Sequence, residues 1–284
     1  MRALNARLVY ASITGFGQDG PYADRAGYDF IIQGMGGMMS ITGLPDGEPG
    51  GGPMRAGVAV ADLFTGMYAC VAILAALFRR ERTGEGATLD HALFDTQLAM
   101  LANQAENALI SGQDPPRQGN THPNIVPYQP FEAADQPIII AVGNDRQFAR
   151  LAEICGRPEW AADLRYATNE ARVANRGEVV ALLGEAIRSR PAADWLVQLE
   201  NAGIPAGPIN SVTQAIADVQ AQHRKMIRNL AGVPLVGSPV RLDGERADSD
   251  LPPPSLGEHT HEVLEALGFD SEAISRLAAA NVIA

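Results

Sequence analysis

The stretch Asp62-Leu-Phe-Thr-Gly-Met-Tyr-Ala-Cys-Val-Ala-Ile-Leu-Ala-Ala-Leu77 holds no proline and a single glycine, and Arg79 and Arg80 follow it. A proline-free run of good helix formers that opens on an acid and closes on bases matches the polarity of a helix dipole, so it predicts a helix over residues 62–80. Its most apolar part, residues 68–78, is too short to span a bilayer and is expected to be a buried core helix. Working outward, Thr83-Gly-Glu-Gly86 is a turn and residues 93–111 read as a second helix that packs on the first. Upstream, the β-branched and aromatic run Arg7-Leu-Val-Tyr-Ala-Ser-Ile-Thr14 ends at Gly15 and reads as a strand. Residues 15–57 are rich in Gly, Pro and Asp, which predicts loops around one short helix.

Further along, residues 113–130 are polar and punctuated by proline, marking a crossing between domains. Pro137-Ile-Ile-Ile-Ala-Val-Gly143 is expected to be a buried strand. Helical patterns follow over residues 146–155, 169–189 and 192–202, with Gly203-Ile-Pro-Ala-Gly-Pro208 as an extended piece after them. Residues 212–219 predict another helix, residues 234–254 are proline-rich, and residues 258–267 and 271–280 form the last helices.

At 284 residues the chain can bury a sizeable core, and 46% hydrophobic with 19% charged residues is the composition of a folded globular protein. A net charge of -11 argues against nucleic acid or an anionic membrane as the main partner and favours a small-molecule substrate. Two cysteines, Cys70 and Cys155, build neither a disulfide framework nor a metal site, and both read as small core residues. The first ten residues carry no signal-peptide pattern, which predicts a cytoplasmic location.

Asp62 is the most informative residue. Unpaired N–H groups and the positive dipole end at a helix start favour an ionised carboxylate. An ordinary N-cap would look the same by position. The small residues around it, Gly57, Ala59, Ala61, Gly66 and Ala69, leave open space that suits a bulky acyl group better than a packed cap. The carboxylate is therefore expected to face a cavity.

Gly27-Tyr-Asp-Phe-Ile-Ile-Gln-Gly-Met-Gly-Gly37, Ile41-Thr-Gly43 and Gly57-Val-Ala-Val-Ala-Asp-Leu-Phe-Thr-Gly66 together resemble the family III CoA transferases, the CaiB/BaiF family. The resemblance continues through Gly84-Glu-Gly86 with Asp90, Gly119-Asn-Thr-His-Pro123 with Pro127-Tyr128, Gly203-Ile-Pro-Ala-Gly-Pro208 and Leu256-Gly-Glu-His-Thr260, and so covers nearly the whole chain. It implies an α/β fold. Residues 1–115 and 220–284 would belong to a large Rossmann-like domain, and residues 116–219 would form a smaller α/β domain. It implies transfer of CoA between carboxylic acids, with Asp62 as the nucleophile that forms a mixed anhydride and then an enzyme-bound CoA thioester. Backbone N–H groups of the Gly-rich segments or of the Asp62 helix start would supply oxyanion stabilisation, and Gly36 and Gly37 are candidates for the substrate or CoA site. The resemblance also implies an interlaced homodimer and no cofactor beyond CoA itself, which is substrate and product.

Tyr28 separates members of the family, because the related α-methylacyl-CoA racemases resemble this chain but carry an acid/base histidine at the matching position. A phenol, with an ordinary pKa of about 10, replaces that base poorly near neutrality, which disfavours racemase or isomerase activity. Plain packing is the other reading of Tyr28. Asn120, His122 and Tyr128 lie where family members approach the acyl pocket; Asn120 and His122 either hydrogen-bond a substrate carboxylate or hold the interdomain turn. Members of the family carry a further segment ahead of the strand that opens this chain, which leaves a catalytically inactive relative as a third reading. That strand is expected to expose a sheet edge.

Overall fold

The computed structural model describes residues 3–283. One compact unit ends at Pro208 and a second begins at Ile209.

The first unit opens with strand β1 (Val9–Thr14), followed by the short helices α1 (Asp29–Met35) and α2 (Met38–Ile41) and the long helix α3 (Val60–Thr83). Strand β2 (Ala87–Ala92) then pairs parallel to β1, Val9 opposite Ala87 and Thr14 opposite Ala92, so α3 is the crossover of a β–α–β unit. Strand β2 was not foreseen: Asp90 and His91 interrupt its short apolar pattern, and its pairing is with residues far upstream. Among the described residues β1 and β2 form a sheet of two strands, so each keeps an unpaired edge.

Helix α3 differs from the expected core helix. Its buried side is a narrow stripe of small residues, Ala61, Thr65, Ala69 and Ala76, while Leu63, Phe64, Met67, Val71, Leu74 and Phe78 are 49–70% exposed. Cys70 is exposed with them. The apolar pattern runs around the whole helix, which predicts burial on all sides, but this chain supplies cover for one stripe alone. At 24 residues α3 is also long and apolar enough to cross a membrane by length and composition, unlike the shorter run read from the sequence.

The predicted second helix breaks into α4 (Leu93–Met100) and α5 (Asn103–Ser111), with Ala102 between them at φ 47°. Ile32, Ala61 and Leu93 form the buried apolar cluster of this region, flanked by Phe16 and Phe94.

A larger core lies further along the unit. Strands β3 (Tyr128–Glu132), β4 (Pro137–Ala141) and β5 (Ala206–Pro208) form an antiparallel sheet in that order. Strand β3 falls partly in the stretch expected to be a polar crossing. The sheet is covered by α6 (Asp145–Ile154), α7 (Asn169–Ala174), α8 (Arg176–Ile187) and α9 (Ala192–Asn201), which bury Ile138, Ile140, Phe148, Leu151, Leu183 and Trp195. Cys155 packs against this cluster, and burial pushes its thiol up to about 11.

Arg172 is fully buried in that core and every side of its guanidinium is used. Nε donates to the Val126 carbonyl at 2.7 Å, Nη1 to the Tyr166 carbonyl at 2.8 Å, and Nη2 to Asp145 at 2.9 Å, with the Phe148 ring 4.4 Å away. It joins the approach to β3, the loop before α7 and the start of α6.

In the second unit, α10 (Val212–Ala217) and α11 (Val219–His223) precede two hairpins, β6 (Ile227–Leu230) with β7 (Val233–Val236) and β8 (Arg241–Leu242) with β9 (Glu245–Arg246). Helices α12 (Thr260–Ala266) and α13 (Ser271–Ala279) end the chain. Arg228 and Arg246 both reach Asp248, at 3.3 and 3.4 Å, so ion pairing ties the hairpins together.

Replacing Arg172 with Leu leaves two buried carbonyls without donors and is expected to cost about 3 kcal/mol of stability. Urea unfolding checks this, and an unchanged midpoint contradicts the role given to the guanidinium.

Candidate functional site

The first turn of α3 carries Asp62, but Asp62 is not its cap. The N-cap position is Ala59, which has no side chain to accept a hydrogen bond, and Asp62 is the third helical residue. The capping acceptor arrives from elsewhere: Oδ1 of Asp29, in the first turn of α1, accepts from the Ala61 N–H at 2.8 Å and the Asp62 N–H at 3.4 Å. Asp29 is buried and Asp62 is exposed. Among the described residues no hydrogen bond engages the Asp62 carboxylate.

The carboxylate expected to face a cavity is exposed in the chain taken alone. The nearest one on this helix in sequence, about 340 Å³, is lined by Tyr68, Val71, Asp90, His91, Asp95 and Thr96 among others. The cause is the same bare face of α3 that leaves its large apolar side chains uncovered. The small-residue reading divides accordingly. Gly57 and Gly66 front open space, with nothing within 4 Å of where a Cβ would stand, whereas Ala61 and Ala69 belong to the buried stripe. Gly66, one turn below Asp62, is the informative one: a mid-helix glycine costs about 1 kcal/mol against alanine, and no neighbour here needs the space.

Electrostatics set this carboxyl apart from an ordinary surface acid. Desolvation by the surrounding helix turn, and then the negative charge of Asp29, push the Asp62 pKa above the usual carboxylate range.

The other sequence-derived candidates take the following places. Tyr28 stands at the N-cap position of α1, adjacent to Asp29, and is 73% exposed in the chain taken alone. Gly36 ends α1, where a Cβ would collide with the Gln97 side chain; Gly37, at φ +84°, begins α2 beside Leu101. Close packing and backbone conformation explain both glycines. His122 and Tyr128 come together, with ring centroids 5.2 Å apart and the His122 N–H donating to the Tyr128 carbonyl at 3.1 Å. His122 Nδ1 accepts from the Asn124 N–H at 3.1 Å, and Asn120 is exposed on the same turn. Among the described residues no hydrogen bond or ring contact links this pair to Asp62.

Asp29 and Gln33 were not singled out. The signal was present, since two polar residues four apart on an otherwise apolar turn, Tyr28-Asp-Phe-Ile-Ile-Gln33, point the same way as the buried Ile32. Among the described residues no cluster of side chains is arranged to hold a metal ion.

Comparison with known proteins adds a family. A model described as CoA-transferase family III matches residues 1–260. The succinate–glutarate CoA-transferase of Agrobacterium fabrum is 50% identical over 94% of this chain and 67% of its own length. The succinyl-CoA:glutarate CoA-transferase of Mus musculus is 40% identical, covering 97% of this chain and 64% of its own. The crystal structure of a CaiB/BaiF family protein from Brucella suis superimposes with a TM-score of 0.78 at 49% identity, over 94% of this chain and 69% of that one. The chain thus spans about two thirds of the length of the relatives it matches.

Because the folded state binds the Asp62 proton more tightly than the unfolded state, the ionised carboxylate lowers stability at and above neutral pH. Asp62→Asn is therefore expected to raise the melting midpoint slightly at pH 7, with the difference vanishing as pH falls below the ordinary aspartate range. A midpoint that drops at pH 7 contradicts this electrostatic account.

Proposed function

The chain belongs to CoA-transferase family III, and from that premise we propose that it moves CoA from an acyl-CoA to a free carboxylic acid through covalent intermediates on Asp62. The observation that carries the reading is an aspartate on the first turn of α3 that is relieved of capping by Asp29 and whose carboxylate makes no hydrogen bond, with open space at Gly66 one turn along the helix.

In the proposed sequence an Asp62 oxygen attacks the thioester carbonyl of the donor. The C–S bond breaks, leaving a mixed anhydride and CoA thiolate. The thiolate attacks the aspartyl carbonyl, expelling the donor acid and forming an aspartyl–CoA thioester. The acceptor carboxylate attacks that carbonyl in turn and releases the thiolate, giving a second anhydride. Attack of the thiolate on the acceptor's carbonyl then yields the new acyl-CoA and restores Asp62. Each attack is by an anion or needs a carboxylate leaving group, so no separate acid/base residue and no cofactor are invoked. A carboxyl whose pKa lies above the usual range is a stronger nucleophile once ionised, which supports this use of Asp62. The relatives named for succinate and glutarate point to short dicarboxylates as the acids exchanged.

We also propose that a second copy of the chain covers α3. An apolar face this wide is unusual on a free monomer surface. A lipid environment fits poorly, because β1 and β2 pack along the same helix and would bring unpaired strand edges into the bilayer.

Incubation with succinyl-CoA followed by hydroxylamine is expected to yield a hydroxamate on Asp62, and Asp62→Asn to abolish both the adduct and CoA exchange while retaining acyl-CoA binding. Exchange of the substrate α-proton with deuterated solvent, without an adduct, would replace this reading with a racemase. For the assembly, light scattering is expected to report a dimer and Val71→Glu to dissociate it. A monodisperse monomer of the unsubstituted protein would falsify that arrangement.

A further inference from the structure

Asp29 is a buried acid whose two oxygens are both consumed by the protein. Oδ1 accepts from the Ala61 and Asp62 N–H groups, and Oδ2 accepts from Gln33 Nε2 at 2.6 Å. Gln33 is fully buried, and its Oε1 accepts from the Ala56 N–H at 2.9 Å while Nε2 also reaches the Val58 carbonyl at 3.5 Å. The pair therefore grips the last residues of the loop before α3 as well as the first turn of the helix itself. Such an arrangement engages both Asp29 oxygens with the protein, and it leaves Asp62 with a fixed backbone and an unengaged side chain.

We propose that Asp29, braced by Gln33, is a positioning residue for Asp62, fixing the first turn of α3 on which the Asp62 carboxylate stands. This rests on the reading of Asp62 as the nucleophile. A helix start that frays by one turn displaces its third residue, and a displacement of about 1 Å at a reacting group costs on the order of 100-fold in rate. Asp29 has a second effect through its charge, which disfavours ionisation of the neighbouring Asp62 carboxyl. Asp62 attacks as the carboxylate, so the rate falls on the acid side as Asp62 takes up a proton. Removing the Asp29 charge lowers the pH at which that happens. A residue that only stabilises the fold would not move this limb.

The test compares Asp29→Asn, which keeps the shape and loses the charge, with Asp29→Ala, which loses the cap as well. The unsubstituted protein is first shown to form the hydroxylamine-sensitive adduct on Asp62; its failure there sinks the proposed function rather than the positioning role. Given the adduct, Asp29→Ala is expected to lower kcat by about 10- to 100-fold with KM little changed, and Asp29→Asn, which keeps the capping oxygen, to lower it less. In Asp29→Asn the acid limb of kcat should also shift to lower pH. An acid limb that stays in place overturns the proposal whatever happens to kcat. Where neither Asp29 variant folds, Gln33→Met removes the brace and keeps the charge. It is expected to lower kcat without moving the limb, and an unchanged kcat overturns the proposal.

Discussion

Gly15 and Gly27 touch backbone to backbone: a Cβ on Gly15 would lie 2.6 Å from the Gly27 Cα, closer than real side chains approach. Gly15 directly follows β1 and Gly27 comes two residues before α1. This contact pins the start of α1 against the end of the strand, and everything around the site follows from it. Asp29 arrives under the first turn of α3, the loop at residues 56–58 is gripped by Gln33, and α3 returns along the strand pair to deliver β2 beside β1. No hydrogen bond between the two glycines is needed. Their lack of side chains is what permits the geometry.

Local pattern was enough for the elements whose signal is local. The α3 run, the buried Ile138 to Ile140 and the helices of the larger core are strongly periodic, and they appear within a few residues of expectation. The misses share a cause. Strands β2 and β3 are half-polar and owe their conformation to partners elsewhere in the chain, Val9–Thr14 for one and Pro137–Ala141 for the other. The break at Ala102 needs a positive φ in a residue with no preference for it, so no composition rule marks it. Burial of α3 failed for a different reason, since hydrophobicity reports that a surface is to be covered and not which chain covers it.

The sequence singled out a candidate aspartate but not the residues that hold the start of its helix. Asp62 stood out because an acid before an apolar helix is a recognisable signal, and the motifs around it carried the family. The cap reading was wrong in an instructive way. The helix does have a carboxylate cap, but it is supplied from 33 residues upstream, and that substitution frees the local acid. A linear rule that matches caps to the residues just before a helix misses a cap that comes from another element. His122 and Tyr128 meet ring to ring with Asn120 exposed nearby, and among the described residues no hydrogen bond or ring contact ties them to Asp62.

The buried stripe of α3 sets a dimension as well as a contact. Ala61, Thr65, Ala69 and Ala76 place little more than a methyl group between the helix and its neighbours. The depth at which α3 is seated is then gauged by the smallest side chains available, much as a thin shim sets the level of a machine part. A shim of this kind has almost no compliance, because a methyl group offers no alternative rotamer into which added bulk could be absorbed. Room for added bulk along α3 accordingly comes from the open side of the helix, where Gly66 fronts empty space, and not from any give in the seat on which the helix rests.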